Sequence, residues 1–420
     1  MRRLEFLINT TQSIYTRKNC KPFFGGKLKG EYALSSWAIS NPTFIKKEGT
    51  VRITAILWES DKEYELWYEV PDSIERYLFS DCLDAFLVAV LPIVSMKGCN
   101  LELKGCVSEK LYHSLLDNVI PLLSNNTDIY HPIKLVANKL FAPDCCHGHV
   151  GTGLSCGVDS FYTILSLSQK HDETPLDVLT FFNVGSHRST SGFGDEESRR
   201  LFQQRLDMNM KCAEELGLPL LVVDSNIGEY LCRHQVPFAL VHAFCSLSAV
   251  LACGSYFNRY YYASGQTKYD PSRLNKATGF VESKLCPWLS TEYVDLASYG
   301  GDKTRLQKLQ DIVDYPLVQK HLNVCWRELK NCGECPKCIR TLMELYLLGK
   351  VDKYGSVFDL HEFYEHFDEY KESIYKWADK DEYSREIVEE FEKRSSYRES
   401  TPSQEICWGK KLWKEIFKKS

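Results

Sequence analysis

The sequence predicts an α/β protein: a doubly wound parallel sheet, preceded by a mixed α/β or β-rich module and followed by a cysteine knuckle and a C-terminal helical tail. Three observations carry this prediction. Between about residues 146 and 345, short apolar runs alternate with helical patterns, the rhythm of repeated strand–helix–strand units. Before that stretch, β-branched and aromatic residues alternate. After it, charged and aromatic residues recur at helical spacing. The expected divisions are 1–145, 146–349 and 350–420.

In the first division, Val51–Trp58 and Tyr64–Val70 read as two strands joined by the polar turn Glu59–Glu63. Asp81–Val94 reads as an apolar helix ended near Pro92, and Leu101–Leu103 as a strand. Ser108–Leu123 reads as an amphipathic helix with Ser108 as its N-cap. Trp58, Trp67 and Tyr68 are expected in the core. No catalytic constellation is visible here. In the second division, the strands are Val150–Leu154, Val178–Phe182, Leu220–Val223 and Tyr260–Ala263. The helices are Val158–Ser168, Asp195–Leu216 and Val236–Ala252. In the third, Glu386–Lys393 reads as a solvated helix, Thr401-Pro402 as a break and Ile406–Phe417 as a basic amphipathic helix docked on the protein's own body.

Composition bounds the function. The chain has 420 residues, 44% apolar and 25% charged, which excludes a disordered, collagen-like or acidic-tail protein. Lys+Arg is 51 against Asp+Glu 56, so no global basic field marks a general nucleic-acid binder. Met1-Arg2-Arg3 is followed by an apolar stretch too short for a signal peptide. Ala85–Met96 is too short to span a bilayer, and Val236–Tyr256 carries His242, Cys245, Ser246 and Ser248. The expectation is a cytoplasmic protein without membrane contact. In that compartment, the 17 cysteines are read as metal or catalytic sites before disulfides.

The most informative segment is Gly153-Leu-Ser-Cys-Gly-Val-Asp-Ser160. A strand ends, a loop of small residues turns, and a helix begins near Val158. Free N–H groups and the dipole make such a helix start an anion site. Gly157 allows close backbone approach, and Ser155 and Ser160 offer hydroxyl donors. Asp159 would repel phosphate directly, so it reads as a Mg²⁺ ligand or as an orienter of the loop. No Gly-Lys-Ser/Thr follows, so this is not a Walker loop.

The second signal is Cys325, Cys332, Cys335 and Cys338, spaced C-x6-C-x2-C-x2-C. Four thiolates at this spacing supply a closed tetrahedral shell for Zn²⁺, structural because no position stays open. An iron–sulfur cluster is the rival reading. Gly333 permits the knuckle turn, and Pro336 suits the first turn of a helix running on through Leu347.

Ser155-Cys-Gly-Val-Asp-Ser160 resembles the SGGxDS loop of the PP-loop ATP pyrophosphatase superfamily, whose sheets are of the HUP type, with Cys156 where that family has glycine. Loop and knuckle together resemble the 7-cyano-7-deazaguanine synthase (QueC-like) family over about residues 148–345. Asn183-Val-Gly185-Ser-His187-Arg188, Ala263-Ser-Gly265-Gln-Thr-Lys-Tyr-Asp270 and Gly301-Asp-Lys303-Thr304 match that family's further segments more loosely. Its substrate segment is replaced after Asp270 by Pro271-Ser-Arg273-Leu-Asn275, and the first 145 residues have no counterpart in it.

The resemblance implies an ATP-dependent carbon–nitrogen ligase. A carboxylate such as 7-carboxy-7-deazaguanine would be activated as an acyl-adenylate with release of pyrophosphate. Amide formation with ammonia or a protein amine would follow, in an anti-phage defence setting. The implied catalytic set is Ser155, Asp159, Ser160 and Lys303. The implied nucleotide contacts are Ser155 to Ser160 (Cys156, Gly157 and Val158 included), Gly185, His187, Arg188, Gly265 and Asp270. ATP, Mg²⁺ and Zn²⁺ are the expected cofactors. The expected partners are the small-molecule carboxylate, a protein acceptor recruited by the N-terminal module, and a second copy of the chain.

Blander readings stand beside several of these: an ordinary surface lysine for Lys303, a solvated loop for His187 and Arg188, a turn residue before Pro271 for Asp270. Cys156 as a covalent nucleophile is a minor alternative. Asp144-Cys145-Cys146-His147-Gly-His149 holds ligand-type residues, read as a linker rather than a second metal site. The competing function is a nucleotide-binding partner protein without turnover.

Overall fold

Residues 36–143, 148–169, 175–187, 196–266 and 268–400 are described by a computed structural model, 395–400 through their backbone alone. They form an α/β protein on one large mixed sheet, mostly parallel, with helices at the C-terminal end. The first division supplies β1 (Ser36–Ile39), β2 (Thr43–Lys47), β3 (Thr50–Glu59), β4 (Lys62–Pro71), β5 (Asn100–Ser108) and β6 (Leu135–Phe141). The second supplies β7 (His149–Gly153), β8 (Val178–Phe182), β9 (Leu220–Ser225), β10 (Phe257–Ala263) and β11 (Asp295–Tyr299).

The strands lie in the order β11-β10-β7-β8-β9-β4-β3-β1-β5-β6, with β2 beside β3. From β11 to β9 every pairing is parallel. β8 (VLTFF) is apolar but for Thr180 and buried along its first four residues, because a central parallel strand is covered on both faces. Chain order runs outward from β7 through β8 to β9, then returns across β7 to β10 and β11. Strand order therefore reverses between β7 and β10, where open α/β sheets leave a crevice beyond the strands' carboxyl ends.

The first division is stitched to the second through an antiparallel contact of β4 with β9, Tyr68 opposite Ser225 and Glu69 opposite Asp224. Asn226 clasps the join: its Oδ1 accepts from Trp67 N at 2.8 Å and its Nδ2 donates to Glu65 O at 2.7 Å. Below the sheet, α1 (Asp84–Lys97) packs on a later helix, His242–Leu251, and the Tyr68 hydroxyl shares a 2.7 Å hydrogen bond with Ser248. One apolar core consequently runs from Trp37 to Leu296 across both divisions.

The next helix is capped as expected: the Ser108 hydroxyl accepts from Leu111 N. It runs as α2 (Glu109–Ser114), a π turn at Leu115–Val119 and α3 (Ile120–Asn126). Then follow α4 (Val158–Gln169), α5 (Glu196–Leu216), α6 (Ile227–Arg233), α7 (His242–Leu251), α8 (Glu282–Trp288), α9 (Arg305–Ile312), α10 (Pro316–His321) and α11 (Pro336–Leu347). The C-terminal helices are α12 (Leu360–Glu365), α13 (Phe367–Trp377) and α14 (Glu382–Ser400). A second apolar core lies under α4, α11 and these last helices.

Several expectations are corrected. Trp58, expected in the core, is half-buried with its Nε1 donating to Glu63. The segment Glu386–Lys393, expected to be solvated, buries Ile387 in the second core. Three elements also differ in extent. Pro92 does not end α1, which continues to Lys97 and stops at Gly98 in the left-handed region (φ 63°). Residues 84–95 are all buried, and that burial outweighs the one bond Pro92 cannot donate. The helix expected from Val236 starts only at His242, because Pro237 biases Val236 away from helical geometry. β5 runs on to Ser108 because a register shift between Leu103 and Cys106 absorbs Lys104-Gly105. Among the described residues, no helix is long and apolar enough to cross a membrane. The expected break at Thr401-Pro402 and the helix Ile406–Phe417 lie outside the described residues.

Candidate functional site

Beyond the carboxyl end of β7, at the strand-order reversal, residues 154–157 turn into α4. Cys156 has φ 56°, the left-handed conformation glycine adopts most easily, so a small residue is demanded there. The loop is self-supporting. Ser155 N donates to Ser160 Oγ at 3.2 Å, and Gly157 N to Ser155 Oγ at 3.3 Å. Asn323 N, just ahead of the cysteine cluster, donates to Cys156 O at 2.8 Å. The Cys156 thiol is buried and donates to Asn209 Oδ1 at 3.3 Å. A hydrogen bond with Cys212, then burial, holds it well above the usual thiol range. That is the opposite of an activated nucleophile. Val158 is fully buried, so only its backbone can face a ligand.

Asp159 stands in the first turn of α4 between two cations. Lys308 Nζ donates to Oδ1 at 3.0 Å, and Arg305 NH1 approaches Oδ2 at 3.4 Å. Lys308 is buried and also donates to Ser264 O, just past β10. There Glu282 Oε1 accepts from Ser264 Oγ at 2.7 Å and Gly265 N at 3.0 Å, and burial pushes its carboxyl up to about 7. Arg305 also donates to Thr341 Oγ1 at 3.1 Å and lies 3.4 Å from the buried carboxylate of Glu344. Thr341 and Glu344 belong to α11, whose residues 337, 340, 341 and 344 repeat at one-face helical spacing. Lys337 is solvent-exposed, and Arg305, Arg340 and Asp159 lie within its electrostatic range. The first turn of the loop helix thus rests against two cations, Lys308 and Arg305.

The other expected contacts divide. Gly265 sits in this network, and its carbonyl accepts from Tyr383 OH at 2.6 Å. Gly185 turns at φ 107°, where an added Cβ would press Phe238 and Gly228 at 3.2 and 3.3 Å. His187 is buried between Phe181 and Phe202, its Nε2 3.1 Å from Phe182 O and its Nδ1 3.5 Å from Arg205. Burial and then the Arg205 charge pull its pKa down to about 3, so it is a neutral packing group. Lys303 is paired with Asp311. Asp270 accepts from Ser272 N at 3.1 Å, as a turn residue ahead of Pro271 does. Arg188 and residues 144–147 lie outside the described residues, and His149 Nδ1 is bonded to Asp177 at 2.9 Å.

Sequence reasoning passed over Lys308, Arg305, Glu282, Glu344 and Lys337. A signal existed for two of them. Thr304 and Gln307 form a capping box that starts α9, and Arg305 and Lys308 follow at i, i+3 on that helix.

The four cysteines converge. The Sγ atoms of Cys325, Cys332, Cys335 and Cys338 all lie within 4.8 Å of one another, and Cys332 and Cys338 are 4.0 Å apart. A tetrahedron with Zn–S bonds of about 2.3 Å has edges of roughly 3.8 Å, so the donor set fits a zinc ion. Cys335 N donates to Cys332 Sγ and Glu328 N to Cys325 Sγ, each at 3.3 Å, which suits thiolate ligands. Gly333, at φ 74°, makes the turn between them. Cys335 caps the start of α11 and Cys338 lies in its first turn, so a bound ion would pin the end of the helix that carries Lys337.

A cleft of about 400 Å³ is lined by Tyr162 of the loop helix α4 and by Gln266, Gly279, Glu282, Ser298 and Tyr299 among others, but by no residue of the loop itself. Tyr162 follows Asp159 by three residues on the same helix. The arrangement offers a backbone anion cradle, fixed positive charge and a neighbouring space for a second reactant. Comparison with protein-family models finds no match, nor do searches of the curated proteins and of the solved structures.

Proposed function

We propose that this chain is an adenylate-forming ligase of PP-loop type, resembling the 7-cyano-7-deazaguanine synthase family, with a structural zinc knuckle. The observation that carries this reading is the loop at residues 154–157, set where strand order reverses and leading into a helix whose Asp159 is held by two cations, Lys308 and Arg305. In the proposed reaction a carboxylate oxygen attacks the α phosphorus of ATP. The bond to the bridging oxygen breaks and pyrophosphate leaves. An amine then attacks the acyl carbon, loses a proton and displaces AMP. 7-Carboxy-7-deazaguanine or a similar acid is the proposed carboxylate, and ammonia or a protein amine the acceptor.

Such chemistry asks the protein for placement and charge stabilisation rather than for a covalent intermediate. The loop amides and the Ser155 and Ser160 hydroxyls would hold pyrophosphate oxygens. Both Asp159 oxygens are engaged by cations, so its assigned role is to hold Lys308 and Arg305 rather than Mg²⁺. Mg²⁺ would then arrive with the nucleotide, ligated by phosphates and water. Zinc enters no step, since four protein thiolates leave it no open position.

The test is product analysis with ATP, Mg²⁺, ammonia and 7-carboxy-7-deazaguanine. The expected products are AMP and pyrophosphate. Asp159→Asn or Ser160→Ala should slow their release by about 100-fold. Release of ADP and phosphate, or unchanged turnover in the loop variants, contradicts the reading. Bound ATP with no AMP formed would favour the nucleotide-binding partner without turnover.

A further inference from the structure

We infer that Arg305 is a phosphate-binding residue handed from Asp159 to the nucleotide, and that Glu344 on the knuckle helix is the positioning residue that aims it. The inference rests on the adenylate-forming reading and names a part of that site which no motif marks.

The contact lengths separate the two cations on Asp159. Lys308 holds its oxygen at 3.0 Å, is almost wholly buried and has a second acceptor in Ser264 O. It is a fixed counter-charge. Arg305 stands 3.4 Å from Asp159 and 3.4 Å from Glu344, with its one shorter bond, 3.1 Å, to Thr341. Charge-assisted bonds close to about 2.7–2.9 Å when both partners are free to settle. Arg305 is therefore held in place without being satisfied, and its side chain keeps 12% exposure.

A phosphate seated on the loop would offer the planar guanidinium a bidentate partner through two of its oxygens. The Asp159 carboxylate in the first turn of α4 would repel the phosphate unless a cation continues to cover it. With Lys308 still attached, Asp159 stays neutralised while Arg305 turns to the new anion. Glu344 and Thr341 keep the other edge of the guanidinium from following Asp159. Neither Glu344 oxygen meets hydrogen-bond geometry with any partner, although both are buried. The cation Glu344 faces most closely is Arg305, 3.4 Å away, so this carboxylate is placed to direct that guanidinium. The charged groups around it are Arg305, Arg340, Glu386 and Asp159.

The test is ATP titration and steady-state kinetics on the full chain for wild type, Arg305→Ala, Glu344→Gln and the double variant, with Thr341→Val as a second probe of the same arm. Glu344→Gln keeps shape and volume, and its melting temperature without ATP reports folding. Arg305→Ala should raise the dissociation constant for ATP by about tenfold or more. Glu344→Gln and Thr341→Val should each raise it severalfold, and Glu344→Gln should have no further effect once Arg305 is Ala. Additive effects of Glu344→Gln and Arg305→Ala, or unchanged ATP affinity in Arg305→Ala, overturn the inference while leaving the broader reading intact. Failure of the wild type to bind ATP overturns both.

Discussion

Lys308 places its ammonium 3.0 Å from Asp159 Oδ1, although 149 residues separate them in the chain. The pair ties the first turn of the loop helix α4 to α9, and through Ser264 O to the end of β10. Three segments around the strand-order reversal thus share one buried cation.

Breaking that pair leaves a carboxylate with one loose partner. Lys308→Met should cost about 2–3 kcal/mol, below a fully buried pair because Asp159 keeps some solvent. Adding Asp159→Asn should recover most of the loss. A double-mutant cycle by urea denaturation measures it, and additive losses would show that the two residues do not act as a pair.

Cys156 occupies left-handed backbone with its thiol buried on Asn209. Cys156→Gly relieves about 1 kcal/mol of backbone strain and gives up a similar amount of packing. Its stability should stay within about 1 kcal/mol of wild type, with ATP binding retained. Cys156→Val forces a β-branched residue into the same conformation and should cost about 2–3 kcal/mol. Thermal melts with and without ATP check both; a Val variant that melts like wild type would contradict the loop geometry.

Asp84 is buried, its Oδ1 accepting from Ser108 N and its Oδ2 from Tyr293 OH, each at 2.9 Å. Burial pushes its carboxyl up to about 6 from an ordinary 3.8. Between those values the native state holds a proton that the unfolded chain has lost, so stability falls as pH rises from about 4 to 6 and then levels. Asp84→Asn should remove a fall of at most about 3 kcal/mol, and Asn can keep both partners by donating to Tyr293. Denaturation at pH 4.5 and pH 8 measures it; equal slopes in wild type and variant would refute the assignment.

The cysteine cluster should hold one zinc ion per chain, read by elemental analysis. Chelation should speed amide exchange across residues 323–345 and leave β3 and β4 protected, because those strands belong to the other core. An iron absorbance, or unchanged exchange after chelation, would contradict a zinc brace.

Asn226→Ala removes both side-chain bonds across the β4–β9 join. It should cost about 2 kcal/mol and increase exchange at Trp67. A variant with wild-type stability would mean that the shared core alone holds the sheet together.

Local pattern carried the strands and the knuckle helix. Val178–Phe182 and Pro336–Leu347 are found where their apolar runs and the proline signal put them. Relations across the chain were not legible. The β4–β9 join pairs Tyr68 and Glu69 with Ser225 and Asp224 and is clasped by Asn226, 159 residues from Trp67, and no periodicity encodes it. His187 looked like a ligand because residue type alone cannot reveal two phenyl rings closing over it. Lys303 drew notice as part of a motif-like segment, whereas Lys308, five residues on, reaches the loop because α9 packs against α4.

The most direct test of the loop as a phosphate grip is calorimetric titration of MgATP into wild type and Gly157→Val. A Cβ at Gly157 would press the Ser155 hydroxyl at 3.3 Å and otherwise meet only Asn323 O at 3.9 Å, so the side chain crowds the loop where a phosphate would sit. The account predicts binding to the wild type, weakened by about tenfold or more in the variant. Equal affinity in the two chains, or no heat of binding to the wild type, would contradict it.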